Sequence, residues 1–162
     1  MPLFSNLLAY EDEHGPAIGV INLPALGETV YAGRGQGCWC NDQPARVSDV
    51  ADLERAYLTS SGYTHWDEAM LLAAKRSGMA LRGWGDGYGY ALVATGRAEV
   101  MVDPVIEPYD VAPMPVILQE AGGRFTDLDG APRIDSGSGV ATNGHLHDRV
   151  LELLSVRSSP DA

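Results

Sequence analysis

The chain has 162 residues, of which 45% are hydrophobic and 20% are charged, so it can bury a sizeable core and does not belong to the disordered class. Its 22 Asp and Glu residues outnumber its 11 Lys and Arg residues, which gives a formal net charge of -11. Such a charge repels a phosphate backbone, so we expect no nucleic-acid partner and no binding to an anionic membrane. An anionic substrate would need a cation as intermediary.

The chain contains no run of 18 apolar residues, and its start lacks the basic residues and cleavage site of a signal peptide, so we expect a cytoplasmic protein. Two cysteines, Cys38 and Cys40, stand too close in sequence for an unstrained disulfide. We interpret them as reduced packing residues, with half of a metal site as the alternative.

The first 60 residues predict an antiparallel meander, because strand-like runs alternate with Gly, Pro and Asn-Asp turns. The runs span residues 3–11, 16–24 and 29–42. The first run begins at the start of the chain, with no preceding cap or helix.

From Trp66 onward the apolar spacing becomes helical. Helices are predicted over residues 66–78, 87–96, 111–123 and 143–154, the last capped by Asn143, with strands at 79–84, 98–102, 124–130 (ending in a tight turn) and 138–143. Pro113 and Pro115 should confine regular hydrogen bonding in the third helix to its later turns.

Antiparallel strands followed by alternating helices and strands predict a layered α/β fold. We expect one domain over residues 1–156, with a sheet portion at 1–60 and an α/β portion at 61–156. Residues 157–162 are expected to be a frayed tail.

A glycine-rich segment, RGWGDGYG at residues 82–89, lies between a predicted strand and a predicted helix. Backbone N-H groups at a helix start can bind an anion, so a contact with a small phosphate or substrate is one interpretation. A tight turn with Asp86 as a simple N-cap is the other. A dinucleotide-binding fingerprint is disfavoured, because Asp86 would repel a pyrophosphate and the spacing is poor.

Three carboxylates, Asp103, Glu107 and Asp110, occupy a Pro-containing loop between a buried strand and a helix. Neighbouring carboxylates raise one another's pKa values, so a bound cation would remove an unfavourable interaction. Oxygen ligands without a nearby Cys or His favour Mg²⁺ over Zn²⁺. Asp110 alone could also be a helix N-cap.

Other polar residues have simpler interpretations. We expect His145 and His147 to be exposed to solvent, and Asp127 and Asp129 to form a turn. The segment Ser60-Ser61-Gly62 has no evident His-Asp partners in sequence, although folding could bring a nucleophile together.

Three segments resemble the inositol monophosphatase superfamily. Residues 108–130, PYDVAPMPVILQEAGGRFTDLDG, resemble its second signature, in which an Asp after an aromatic residue precedes a helix ending in EAGG and a strand ending in D-x-x-G. Residues 82–105 carry the G-D-x-Y-x-Y turn of its histidinol-phosphatase branch, and residues 16–42 are similar to its strand pair and G-x-G-x-x-x-N turn. The resemblance covers almost the whole chain.

The resemblance implies the C-terminal portion of the inositol-monophosphatase-like fold and a Mg²⁺-dependent phosphomonoesterase, in which metals bridge the phosphate and activate water. It makes Asp110 a metal ligand. The substrate-binding residues that it implies are Arg82, which would orient the glycine-rich turn, Gly85, Asp86, Gly87, Asp103 and Glu107.

The implied partner is a small phosphorylated metabolite, and histidinol phosphate of histidine biosynthesis fits best. Its amine and imidazole can be cationic, and Asp103 and Glu107 would complement them. An inositol-1-phosphatase-like or sugar-phosphate specificity is the alternative. Family resemblance also favours a homodimer.

The family's other metal motifs, a Glu-Glu pair and D-P-[IL]-D-G-T, do not occur in this chain and would lie upstream of Met1. We therefore expect no catalytic residue within the chain and an incomplete or inactive site. A non-catalytic truncated domain is the remaining alternative.

Overall fold

The computed structural model describes residues 2–156, and the predicted tail at 157–162 lies outside these residues. The described part has two five-stranded sheets with helices packed against them. This arrangement confirms the predicted layered α/β fold.

The first sheet is an antiparallel meander in the order β1-β2-β3-β4-β5. Its strands are β1 (Asn6–Asp12), β2 (Gly15–Leu23), β3 (Glu28–Gly33), β4 (Cys38–Cys40) and β5 (Gln43–Ala45). The meander was predicted, but the run at 29–42 contains two strands, and β5 was not predicted. Ile21 and Leu23 of β2 are fully buried, whereas Ile18 on the opposite face is exposed. One face of the meander therefore forms a wall of the core.

The second sheet has the order β7-β6-β8-β10-β9. Its strands are β6 (Tyr57–Thr59), β7 (Ala80–Arg82), β8 (Val100–Asp103), β9 (Arg124–Thr126) and β10 (Gly139–Thr142). Strand β6 pairs in parallel with β7 and β8, although it lies within the portion that the sequence analysis assigned to the meander. Three residues are too few for a period of two to identify a strand.

The helices are α1 (Glu68–Arg76), α2 (Asp86–Ala94), α3 (Pro108–Val111), α4 (Met114–Glu120) and α5 (His147–Leu154). The helix predicted at 111–123 is α4, which begins only at Met114, as Pro113 and Pro115 predict because they lack an amide hydrogen. Helix α3 lies in the segment predicted as a loop and shares only Val111 with the predicted helix. Within residues 2–156, no helix is long and apolar enough to cross a membrane.

Asn143 stabilises the turn before α5 and does not cap the helix itself, which begins four residues later than predicted. Its Oδ1 accepts a hydrogen bond from the Leu146 amide at 3.3 Å, and its Nδ2 donates to the Val50 carbonyl at 2.7 Å. The side chain therefore ties the start of α5 to the connection between the two sheets.

Helix α4 packs closely on the first sheet at a glycine. A Cβ atom at Gly19 of β2 would lie 2.6 Å from the Pro113 carbonyl oxygen, so no larger residue fits without a shift. On the second sheet, α1 and α5 contact each other, and Met70, Ala74, Val150 and Leu154 are buried between them and the strands.

Both cysteines are free, as interpreted from sequence. Cys38 is buried in β4, and this burial raises the pKa of its thiol to about 11. A thiol that stays protonated at neutral pH is a packing group and a poor nucleophile.

The prediction of solvent exposure is right for His145 and wrong for His147, whose side chain is 0% exposed. The Thr126 hydroxyl donates to the Asp127 carbonyl, so it accepts from His147 Nε2 at 3.0 Å. His147 Nδ1 then accepts from the Thr142 hydroxyl at 2.9 Å, which itself accepts from the Gly144 amide. A neutral imidazole, with its proton on Nε2, satisfies all of these hydrogen bonds.

This burial predicts acid sensitivity. Desolvation, with Arg124 nearby, lowers the pKa of His147 from 6.5 to about 4. The unfolded chain therefore binds a proton that the folded chain rejects between these values, so stability should fall by up to about 3 kcal/mol as pH falls from 6.5 towards 4. Urea unfolding over this pH range measures the effect. His147→Gln should lower the number of protons taken up on unfolding by about one, and the exposed control His145→Gln should not change it. An identical pH dependence in wild type and His147→Gln would refute the assignment.

Candidate functional site

A cavity of about 250 Å³ lies where the start of β1 meets the start of α2 and the end of β8. The residues that line it are Ser5, Leu7, Ser61, Asp86, Gly87, Tyr90, Asp103, Val105, Ile106 and Asp110. Three of these ten are carboxylates, and none is Lys, Arg or His. The described chain thus forms an acidic cavity without a built-in counter-charge.

The structure brings together four of the seven site residues expected from sequence: Asp86, Gly87, Asp103 and Asp110. Gly85 lies directly behind the cavity wall, while Arg82 and Glu107 do not line the cavity. The functional roles of all seven residues stay predictions.

Asp103 is the buried centre of the site, with 4% of its surface exposed. Its Oδ1 accepts from the Ser61 amide at 2.9 Å, and its Oδ2 accepts from the Ser61 hydroxyl at 3.0 Å and from the Tyr90 hydroxyl at 3.2 Å. Burial raises the pKa of Asp103 above its usual value, an effect that these hydrogen bonds oppose and that the charge of Asp86 increases.

Tyr90 is a donor to this carboxylate throughout the neutral range. Its ring is buried in α2, and burial, followed by the charge of Asp103, raises the pKa of its phenol well above the ordinary value. The hydroxyl therefore stays protonated and keeps its hydrogen bond to Asp103.

The glycine-rich turn differs from a simple Asp N-cap. Gly85 is the N-cap of α2, and Asp86 is the first helical residue, with a φ of +52° and its amide donating to the Ser61 hydroxyl at 2.9 Å. A non-glycine residue with positive φ is uncommon, and such residues are often found at functional sites. The Asp86 side chain faces the cavity.

The spaced glycines serve close packing. A Cβ atom would lie 2.0 Å from the Ser61 Cα at Gly85, 2.4 Å from the Ser5 hydroxyl at Gly87, and 2.4 Å from the Trp84 carbonyl at Gly89. These contacts explain the pattern that resembles a nucleotide fingerprint in sequence.

Asp110 lies within α3 and is not its N-cap, which is Glu107. One oxygen, Oδ2, accepts from the Glu107 amide at 3.1 Å and closes the first helical turn. The residue is exposed and lines the cavity. Its carboxylate can therefore bind a cation with its second oxygen while the helix stays capped.

Arg82 lies outside the cavity on the surface of β7. Its guanidinium stacks 5.3 Å from the Tyr57 ring centre and 5.6 Å from the Trp84 ring centre. Trp84 lies only two residues before Asp86. The cation–π contact of Arg82 with its ring therefore supports the turn that carries Asp86.

Ser61 and Tyr90 are site residues that sequence reasoning did not identify. The sequence pattern presents Ser61 only as a candidate nucleophile and Tyr90 only as part of a helix. The only sequence signal for Ser61 is the Ser-Ser-Gly segment, and its hydrogen-bond partner Asp103 lies 42 positions later. Only the folded chain shows that pairing.

The donor chemistry suits a hard divalent cation, since every charged group at the cavity is a carboxylate. However, no group of three or more His, Cys, Asp or Glu side chains in the described residues could hold a metal ion. These residues therefore provide only part of a metal site.

The chain combines a layered α/β fold with an acidic cavity, and comparison with known proteins identifies its family. The model of the inositol monophosphatase family matches residues 2–158. The chain belongs to this family.

Histidinol-phosphatases are among its similar relatives, which confirms the resemblance to that branch. One from Chlorobaculum parvum is 38% identical over 159 residues, covering 93% of this chain and 60% of that protein. One from Mycobacterium tuberculosis is 35% identical over 164 residues, covering 96% and 63%. A solved inositol monophosphatase from Thermotoga maritima has 31% identity and a TM-score of 0.85, covering 96% of this chain and 62% of that one. This chain thus spans less than two thirds of the length of these relatives.

The packing of Gly85 predicts the effect of a single methyl group. Gly85→Ala should destabilise the chain by about 1–3 kcal/mol or more, because its Cβ would overlap the Ser61 backbone. The matched control is Gly83→Ala, where no atom lies within 4 Å of an added Cβ, and it should change stability by less than about 0.5 kcal/mol. Urea unfolding measures both, and equal effects would contradict the predicted close contact.

Proposed function

We propose that this chain forms the substrate-binding part of a Mg²⁺-dependent phosphomonoesterase that acts on histidinol phosphate. The acidic cavity is the observation that carries the proposal. Asp86, Asp103 and Asp110 repel a phosphate ester that arrives without a cation, and they attract an organic group that carries positive charge. A phosphate ester with a cationic amine and imidazole, bound together with Mg²⁺, satisfies both conditions.

Asp110 is the proposed metal ligand, because it is exposed at the cavity and uses one oxygen in the α3 turn. The other ligands would be water, substrate phosphate or groups outside the described residues. A bound Mg²⁺ would neutralise phosphate charge and polarise the ester. The family's metal dependence supports this role, and the choice of Mg²⁺ rests on the hard carboxylate donors.

The other cavity residues would orient the organic part of the substrate. Asp86 and Gly87 present a carboxylate and a backbone amide at the start of α2. Asp103, which lines the same cavity but is largely buried, adds negative charge. Neither Glu107 nor Arg82 lines the cavity. Glu107 would act at longer range through its charge, and Arg82 would act by supporting the glycine-rich turn.

Inositol or sugar phosphates form the second candidate substrate class. The similarity to the Thermotoga inositol monophosphatase favours them, and the cavity carboxylates can accept hydrogen bonds from hydroxyl groups.

We also propose a cytoplasmic location, a homodimer and no more than trace turnover by these 162 residues.

Asp110→Asn should weaken Mg²⁺ binding in the presence of histidinol phosphate by at least about tenfold, because an amide oxygen lacks the carboxylate charge. Titration calorimetry measures the affinity, and phosphate release provides a second readout. The control is Asp129→Asn, an exposed carboxylate outside the cavity, which should match wild type.

The substrate class is tested in the same titrations. Histidinol phosphate should bind about tenfold more tightly than inositol 1-phosphate, with a difference that shrinks as salt increases. Equal affinities would favour the second substrate class. Unchanged Mg²⁺ binding by Asp110→Asn would remove Asp110 from the metal site.

A further inference from the structure

Ser61 joins two walls of the cavity through a single hydroxyl group. Its Oγ donates to Asp103 Oδ2 at 3.0 Å and accepts from the Asp86 amide at 2.9 Å. Its own amide donates to Asp103 Oδ1 at 2.9 Å, so both donors of Ser61 bind the same carboxylate. The residue is therefore fixed at two points on Asp103 and holds Asp86 at a third.

The Asp86 turn needs such support. Its φ of +52° is unfavourable for a residue with a side chain and persists only where neighbouring groups impose it. Gly85 adds a steric contact, because its backbone lies too close to Ser61 for any Cβ atom. The turn thus rests on Ser61 through one hydrogen bond and one close contact.

Asp103 has little surface with which to touch a ligand. It is 4% exposed, and its two oxygens accept three hydrogen bonds from Ser61 and Tyr90. Its geometry is that of an anchor for other groups.

We propose that Ser61 is a positioning residue of the site, which transmits the fixed position of the Asp103 carboxylate to the turn at Asp86. Asp103 then fixes the Asp86 turn through Ser61, in addition to the negative charge that it gives the cavity. The ligand-binding part of this inference rests on the proposed function, whereas the structural part does not.

A nucleophilic role for Ser61 is not supported by the described residues. None of those lining the cavity is a His, so Ser61 lacks the base that activates a serine. Its hydroxyl hydrogen points to a carboxylate that two other donors already occupy.

The first test is amide hydrogen exchange in the full 162-residue chain. Ser61→Ala should lower the protection of the Asp86 amide by about tenfold, because the substitution removes the hydroxyl that accepts its hydrogen bond. Ser60→Ala is the matched control. Ser60 is the neighbouring residue and is buried, whereas Ser61 is exposed; the Ser60 hydroxyl donates to the Gly62 carbonyl, accepts from Trp66 and makes no hydrogen bond to Asp86.

Unchanged Asp86 protection in Ser61→Ala, or an equal loss in Ser60→Ala, would overturn the proposal. If Ser61→Ala does not fold, Asp103→Asn supplies the same readout, because the amide nitrogen that replaces Oδ2 cannot accept from the Ser61 hydroxyl. It should also lower Asp86 protection about tenfold, and unchanged protection there would equally overturn the proposal.

The second test is a double-mutant cycle on the binding of histidinol phosphate with Mg²⁺. If Asp103 acts through Ser61, then Asp103→Asn and Ser61→Ala should be non-additive, and the double variant should bind within about twofold of the weaker single variant. Additive losses would show that the two residues act independently on binding and would overturn the proposed role of Ser61. If wild type binds neither Mg²⁺ nor the ester, the proposed function fails, and the exchange experiment alone decides the role of Ser61.

Discussion

The candidate site depends on one buried charge. Asp103 ends β8 inside the protein, and a carboxylate removed from water must recover its lost hydration from protein donors. Ser61 and Tyr90 supply those donors from a loop after β6 and from the interior of α2. Three elements that are distant in sequence are thereby held at fixed positions, and the cavity is the space between them.

Close backbone packing works with this charge. Glycines at 85, 87 and 89 allow the start of α2 to approach Ser61, Ser5 and the Trp84 carbonyl. A side chain at any of these positions would overlap these neighbours and require the start of α2 to shift. The left-handed Asp86 is then the point at which the chain enters the helix with its carboxylate towards the ligand space.

Local patterns predicted much of the fold, because strand period, turn residues and helix ends are encoded within short windows. The meander and the final strand-helix pair follow from them. The late start of α4 follows from its prolines, whereas α3 and β6 were too short to detect. His147 was misjudged because a polar residue on an amphipathic helix can be buried when two threonines, Thr126 and Thr142, meet its ring nitrogens.

The candidate site was also predicted only in part. Family motifs brought Asp86, Gly87, Asp103 and Asp110 to attention, and these four residues do converge on one cavity. Ser61 was not identified as their support, because that role depends on contacts 25 and 42 positions away. The charge of the cavity also required the fold, since a net charge of -11 does not reveal where the carboxylates gather.

The central claim is that a divalent cation and a phosphate ester meet at the acidic cavity. The most direct measurement is paramagnetic broadening of the chain's amide NMR signals by substoichiometric Mn²⁺, with histidinol phosphate present. The account predicts selective loss of signals from Asp86, Gly87 and Asp110, which excess Mg²⁺ reverses. Broadening centred instead on the exposed acidic residues at 11–13, with the cavity signals unaffected, would contradict it.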